Sequence, residues 1–247
     1  MPPLAPTDQA GLDKIYYLNL DKRLERRQQM EYILKTVGID AERFQAFDGN
    51  DLTEEVKKDL GVKVIKGYRD RVLNRPITRG EMGGTITHHN IWTNIIQNKF
   101  EKVMVLEDDA QFFPNFKENL RSLLAHLADA RLQWDFIYLG YEDLEPFAPT
   151  LAVPGVPRLV EAKYSHWLVG YLISLSGAKK LVDAEPLSKI LVCDEFLPIM
   201  YDRSNLTEYK HLFPNRNLIA YSASPPLLEP RFFKGEHGYV SDSEATV

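Results

Sequence analysis

Three consecutive acids, Glu107, Asp108 and Asp109, follow directly on an apolar run over residues 103–106. Adjacent carboxylates repel one another and give up their water reluctantly, so a buried strand that ends this way needs an offsetting charge. In extended backbone, residues i and i+2 face the same side; Glu107 and Asp109 can converge on one point while Asp108 faces another. Hard oxygen ligands of this kind suit Mg²⁺ or Mn²⁺, ions that share their coordination with substrate phosphates. The plainer reading is a solvated strand end whose aspartates cap the next turn.

Two further groups could do chemistry. Asp194-Glu195 follows the apolar residues 190–192, and Asp194 can equally cap a helix beginning at Glu195. His88 and Trp92 form an i, i+4 pair on one helix face, where a histidine is ordinarily a satisfied core residue.

The elements that must position these groups read as follows. Residues 15–20 are apolar and β-prone, as in a strand buried on both faces. Asp21 can cap the next helix, in which Met30, Ile33, Leu34 and Val37 recur at helical spacing until Gly38 ends it. "RFQAFDG" suggests a short strand, and residues 51–78 read as a polar, irregular surface segment. A helix is expected over residues 79–99, then the strand "KVMVL", a helix over about 115–129, the strands "WDFIYLG" and "LVGYLISL", and a short helix from Ser176. This alternation predicts an α/β fold with a mainly parallel central sheet and helices on both faces. Such sheets bind ligands beyond the carboxyl ends of their strands, where the acid triplet falls.

A length of 247 residues suits one large domain or two small ones. Residues 1–13 read as a disordered leader or excision boundary, without the basic start and apolar stretch of a secretory signal. No apolar run is long enough for a membrane span. A net charge of −5 with scattered bases argues against nucleic acid as the main partner. Cys193 is the only cysteine, so no internal disulfide can form; that fits the cytosol and a disulfide-free lumen alike. Asn205-Leu206-Thr207 is a glycosylation sequon, and the terminal "SDSEATV" carries no KDEL-like signal.

The ordered segments "IYYLNLDKRLERR", "RGEMGGTITHHNIW", "VMVLEDDAQF", "SHWLVGYLISLSGAKKL" and "CDEFLPIM" resemble the glycosyltransferases of family 25, essentially from Lys14 onward. The later segments, "EYKHLFPNRNLIAYS" and "HGYVSDSE" among them, are most similar to the C-terminal transferase domain of the family's procollagen galactosyltransferase group. The resemblance implies a GT-A-like, Rossmann-type fold over residues 14–247. Its first half, 14–140, would bind the nucleotide sugar and its second, 141–247, the acceptor. It further implies a UDP-galactose donor, Mn²⁺ or another divalent cation, and an inverting transfer. The acceptor would be hydroxylysine of collagen-like chains in the endoplasmic reticulum lumen, with a second transferase domain in a longer chain or a homo-oligomer as partner.

Residue by residue, Glu107, Asp108 and Asp109 match the acidic donor motif, with Asp109 and Glu107 as metal ligands and Glu107 and Asp108 at metal or ribose. Inversion needs a carboxylate base, for which Asp194 or Glu195 is the candidate. Asn19, Asp21 and Arg23, with Arg26 and Arg27 behind them, match an "NLDRRPDRR" pattern near the nucleotide; Asp21 as helix cap and the later arginines as a solvated face are the simpler alternatives. Glu81 and His88 would line the donor site; the chain departs from the family's GE-x-G-C-x-x-SH pattern at Gly84 and Thr87. Tyr164, His166 and Trp167 could stack on a sugar, with Trp167 equally a core residue. His211 and His237 are late histidines with no matched role. Two other readings share these residues: a non-catalytic transferase-like scaffold domain, and a lipooligosaccharide-type galactosyltransferase.

Overall fold

The computed structural model describes residues 7–70, 74–231 and 242. In chain order it contains β1 (Lys14–Asn19), α1 (Leu24–Val37), β2 (Glu42–Gln45), α2 (Glu54–Leu60), α3 (Arg79–Asn98), β3 (Lys102–Glu107), β4 (Ala110–Phe112), α4 (Phe116–Asp129) and β5 (Phe136–Asp143). Then come β6 (Leu159–Glu161), β7 (Ser165–Ser174), α5 (Leu175–Asp183), α6 (Cys193–Met200), β8 (Ala220–Ala223) and β9 (Leu228–Pro230). Seven strands form one sheet in the order β2-β1-β3-β7-β5-β8-β6, while β4 and β9 pair separately. Within that sheet β1, β2, β3, β5 and β8 run in one direction, and β7 and the edge strand β6 oppose them. This is the expected mainly parallel α/β architecture, consistent with a GT-A-like fold.

Strand alternation divides the core in two. Tyr16, Leu18, Val103 and Val105 face α3, α5 and α6; Ile15, Tyr17, Met104 and Leu106 face α1 and α4. The apolar stripes that drive this packing are Ile86, Trp92 and Ile95 on α3 and Leu120, Leu123 and Leu127 on α4, all buried. Burial of this order, about 1.5–3 kcal/mol per large side chain, is what holds helices against sheet.

Three expectations are corrected. Asp21 does not cap α1: Arg23 is the cap residue and no side chain caps it, while Asp21 accepts from Arg43 at 2.5 Å and Gln45 at 2.6 Å. Helix α2 lies inside the segment expected to be irregular. It is marked by Thr53, which accepts from the Val56 amide, and by the left-handed Gly61, but none of its residues is buried, so it carries no apolar period. The leader is not wholly a leader: Asp8 bridges to Ile39, and Ala10 and Leu12 are buried. Residues 1–6 and His237 lie outside the described residues.

Candidate active site

The parallel strands β1 and β3 end together, with Leu18 opposite Glu107. β7 runs back from the same edge, Leu106 lying opposite Gly170, and β5 ends beside it with Glu142 opposite His166. The carboxyl ends of three strands and the start of β7 thus meet along one rim, the position where open α/β sheets hold ligands.

Beyond β3 the chain turns through Asp108 and Asp109 into β4, and the Arg231 amide donates to the Asp109 carbonyl at 2.8 Å. The three acids meet different fates. Asp108 accepts from the Asn19 amide at 2.7 Å and from Arg26 at 3.1 Å. Asn19 is itself buried, donates to the Arg23 carbonyl at 3.1 Å and accepts from Arg43 at 3.0 Å. Asp109 is the opposite case: its Oδ1 is buried and has no hydrogen-bond partner among the described residues. Burial, then the charge of Glu107, pushes its carboxyl up to about 7, with Arg26 opposing. Glu107 is pushed up to about 8, by burial first and then by Asp194 and Asp108. With 38% of its side chain open to solvent, screening trims that push without reversing it.

Behind the acids, His88 is buried with Nδ1 3.0 Å from the Tyr171 hydroxyl and Nε2 3.8 Å from Glu107. Burial holds its pKa down, to about 4, against the pull of Asp194, so the ring is neutral. The Trp92 indole donates to the Tyr171 oxygen at 3.2 Å. The Tyr171 proton is therefore available to His88 Nδ1, which assigns the ring's own proton to Nε2, facing Glu107.

Across the rim, α6 begins after Val192 with no side-chain cap, so Asp194 is not a cap residue. Glu195 is 1% exposed: the Tyr164 hydroxyl lies 2.7 and 2.8 Å from its two oxygens and shares its one proton between them, and His166 Nε2 lies 3.2 Å away. Asp194 accepts from the Trp167 amide; burial raises its pKa, opposed by His166, that amide and His88, and Glu195 adds to the rise. Trp167 sits at φ 68°, a left-handed conformation unusual for a large side chain, which turns its amide toward α6.

Asn19, His88, Glu107, Asp108, Asp109, Asp194 and Glu195 are thereby gathered at one rim. Glu81 is committed elsewhere: it closes a capping box with Thr78 and holds Arg75 at 2.8 and 2.9 Å. Arg23 pairs with Asp242 at 2.6 Å. Sequence reading passes over Arg43, which sits on an exposed strand with no periodic signal, and undervalues Arg26 as a solvated helix face. Asp109 and Glu107 are the residues that could hold a hard cation, the orphaned Asp109 oxygen being the direct sign. Among the described residues no three His, Cys, Asp or Glu side chains group into a complete metal site. One or two carboxylates suffice for an ion that completes its shell with a substrate diphosphate and water.

A mainly parallel sheet with a carboxylate-lined rim is consistent with a GT-A-like glycosyltransferase, and comparison with known proteins gives the same class. The sequence pattern of glycosyltransferase family 25 (LPS biosynthesis protein) matches residues 12–197, and the chain belongs to that family. It is 41% identical over 240 residues to procollagen galactosyltransferase 2 of Homo sapiens, covering 97% of this chain and 38% of that protein. It is 43% identical to procollagen galactosyltransferase 1-B of Xenopus laevis (97% and 39%) and to a glycosyltransferase 25 family member of Drosophila melanogaster (95% and 38%). The chain spans about two fifths of the length of these relatives.

Proposed function

We propose that this domain is a divalent-cation-dependent, inverting galactosyltransferase that moves galactose from UDP-galactose to an acceptor hydroxyl, hydroxylysine of a collagen-like chain. The observation that carries the reading is the orphaned, buried Asp109 oxygen beside Glu107, the acid whose charge interacts with Asp194 across the rim. The names of the relatives support galactosyl transfer and a procollagen acceptor.

In this reading Asp109 and Glu107 hold Mn²⁺ or another divalent cation, which when bound supplies positive charge to the departing diphosphate. Asp108, fixed by Asn19 and Arg26, is preset to accept from the nucleotide ribose. His88 stays neutral behind Glu107, its Nε2 3.8 Å from the carboxyl, and adds no charge to compete with the cation. Asp194 takes the acceptor hydroxyl's proton as the carbon–oxygen bond forms on the face opposite the leaving group. Glu195, with both oxygens occupied, positions the helix instead. The donor then belongs to residues 14–140 and the base to 141–247. A procollagen acceptor puts the domain in the endoplasmic reticulum lumen.

Titration calorimetry of UDP-galactose, with Mn²⁺ and then with EDTA, tests the reading. Metal-dependent binding that Asp109→Ala abolishes while the fold survives is expected. Wild-type affinity in that variant, with Mn²⁺ present, removes the assignment of the acid turn. No binding by the parent under either condition favours a non-catalytic scaffold domain.

A further inference from the structure

We infer that Tyr164 and the first residues of β7 sort the two adjacent acids of α6 into different jobs: Tyr164 and His166 lock Glu195 away as a structural acceptor, and His166, with the Trp167 amide, positions Asp194 at the rim as the acid left for the acceptor hydroxyl. The inference rests on Asp194 being the proton acceptor proposed above, and it assigns His166 as a positioning residue.

The geometry is specific. Residues 164, 166 and 167 each reach α6 by a different group: a phenol hydroxyl, an imidazole nitrogen and a backbone amide. The left-handed turn at Trp167 lets neighbouring residues of one strand serve two neighbouring carboxylates, which straight alternation would not allow. Opposite it, the β5–β7 pairing is shifted between Gly140 and Glu142, so the irregularity is shared by both strands.

Among the described residues, the groups that act on His166 are acidic or neutral: Glu195 and Asp194 from α6, Glu142 from β5, and the Tyr164 ring edge-on at 5.4 Å from its own segment. Burial alone would drive the imidazole neutral, but the Glu195 hydrogen bond and the charges of Asp194, Glu195 and Glu142 outweigh it and raise its pKa. A charged His166 in turn favours the ionised form of Asp194.

Two measurements test this. An NMR titration of the histidine rings, which needs no turnover, should show His166 titrating above the ordinary histidine range and dropping in Glu195→Gln. A His166 ring neutral throughout the physiological range overturns the inference. His166→Gln keeps a donor for Glu195 but removes the charge. With UDP-galactose and a hydroxylysine peptide it should lower kcat about tenfold near neutral pH, leave the donor KM unchanged and move the acid limb of kcat to higher pH. A wild-type kcat and pH profile in that variant, with transfer abolished by Asp194→Asn, overturns the positioning role alone. Transfer that survives Asp194→Asn overturns the underlying assignment of the base.

Discussion

Asp109 and Glu107 bind protons in the folded state more tightly than they would in the unfolded chain, where carboxyls titrate near 4. Their contribution to stability is therefore full below the unfolded value and is lost as pH rises through about 7 to 8. Urea unfolding of the metal-free protein should show a higher midpoint at pH 6 than near pH 8.5, and Mn²⁺ should narrow that gap by replacing the protons. Asp109→Asn should gain on the order of 1 kcal/mol over the parent at the alkaline end and lose its response to Mn²⁺. A midpoint indifferent to pH, to Mn²⁺ and to that substitution would remove the cation reading. Arg26 is the cation that opposes both shifts. In Arg26→Ala the pH at which Mn²⁺-dependent UDP binding reaches half its maximum, followed by calorimetry, should therefore move upward.

At the scale of elements, two adjacent glycines of α3 make opposite predictions. A Cβ on Gly83 would meet the Phe47 carbonyl at 2.8 Å and the Gly49 amide at 2.9 Å, while one on exposed Gly84 meets nothing within 4 Å. Thermal melts should show Gly84→Ala stabilised by about 0.5–1 kcal/mol and Gly83→Ala destabilised. Most of α1, α3, α4 and the long strands was legible because each carries a buried face long enough to set a period. Helix α2 and strand β6 were not, being too short or too exposed for one. The site was half legible. Acids that follow an apolar run announce themselves, and Glu107 to Asp109 after β3 and Asp194 and Glu195 at the start of α6 stand out that way. Which acid is tied and which is orphaned depends on Asn19, Arg26, Tyr164 and His166 arriving from distant parts of the chain, and no local spacing encodes that. Asp21 shows the converse error: an aspartate before a helix is a good cap candidate until an arginine on the neighbouring strand competes for it.

At the scale of the molecule, the two hydrophobic clusters lie on opposite faces of a single sheet, and no described helix is long and apolar enough to cross a membrane. Asn205 and Thr207 of the sequon are exposed, in a stretch between α6 and β8. If the domain works in the secretory lumen, expression there should attach an N-glycan at Asn205, read as a gel shift that glycosidase treatment and Asn205→Gln both abolish. A protein recovered from that lumen without the shift would count against the proposed compartment.

The acid turn has one further property, set by its neighbours in the chain. It is clamped between β3, whose inner partner β7 is made later, and β4, whose only partner among the described residues, β9, is made later still. Gly140 and Gly170 leave the space that Leu228 of β9 fills, its carbonyl 2.7 Å from where a Cβ on Gly140 would stand. During synthesis the acids emerge long before the strand that fixes them, and such non-local pairing is slow to form. A nascent or prematurely terminated chain can therefore carry the whole acid motif and an otherwise recognisable first half without a competent site. Strand β9 acts as a completeness check on the acid turn, and competence should appear abruptly with it.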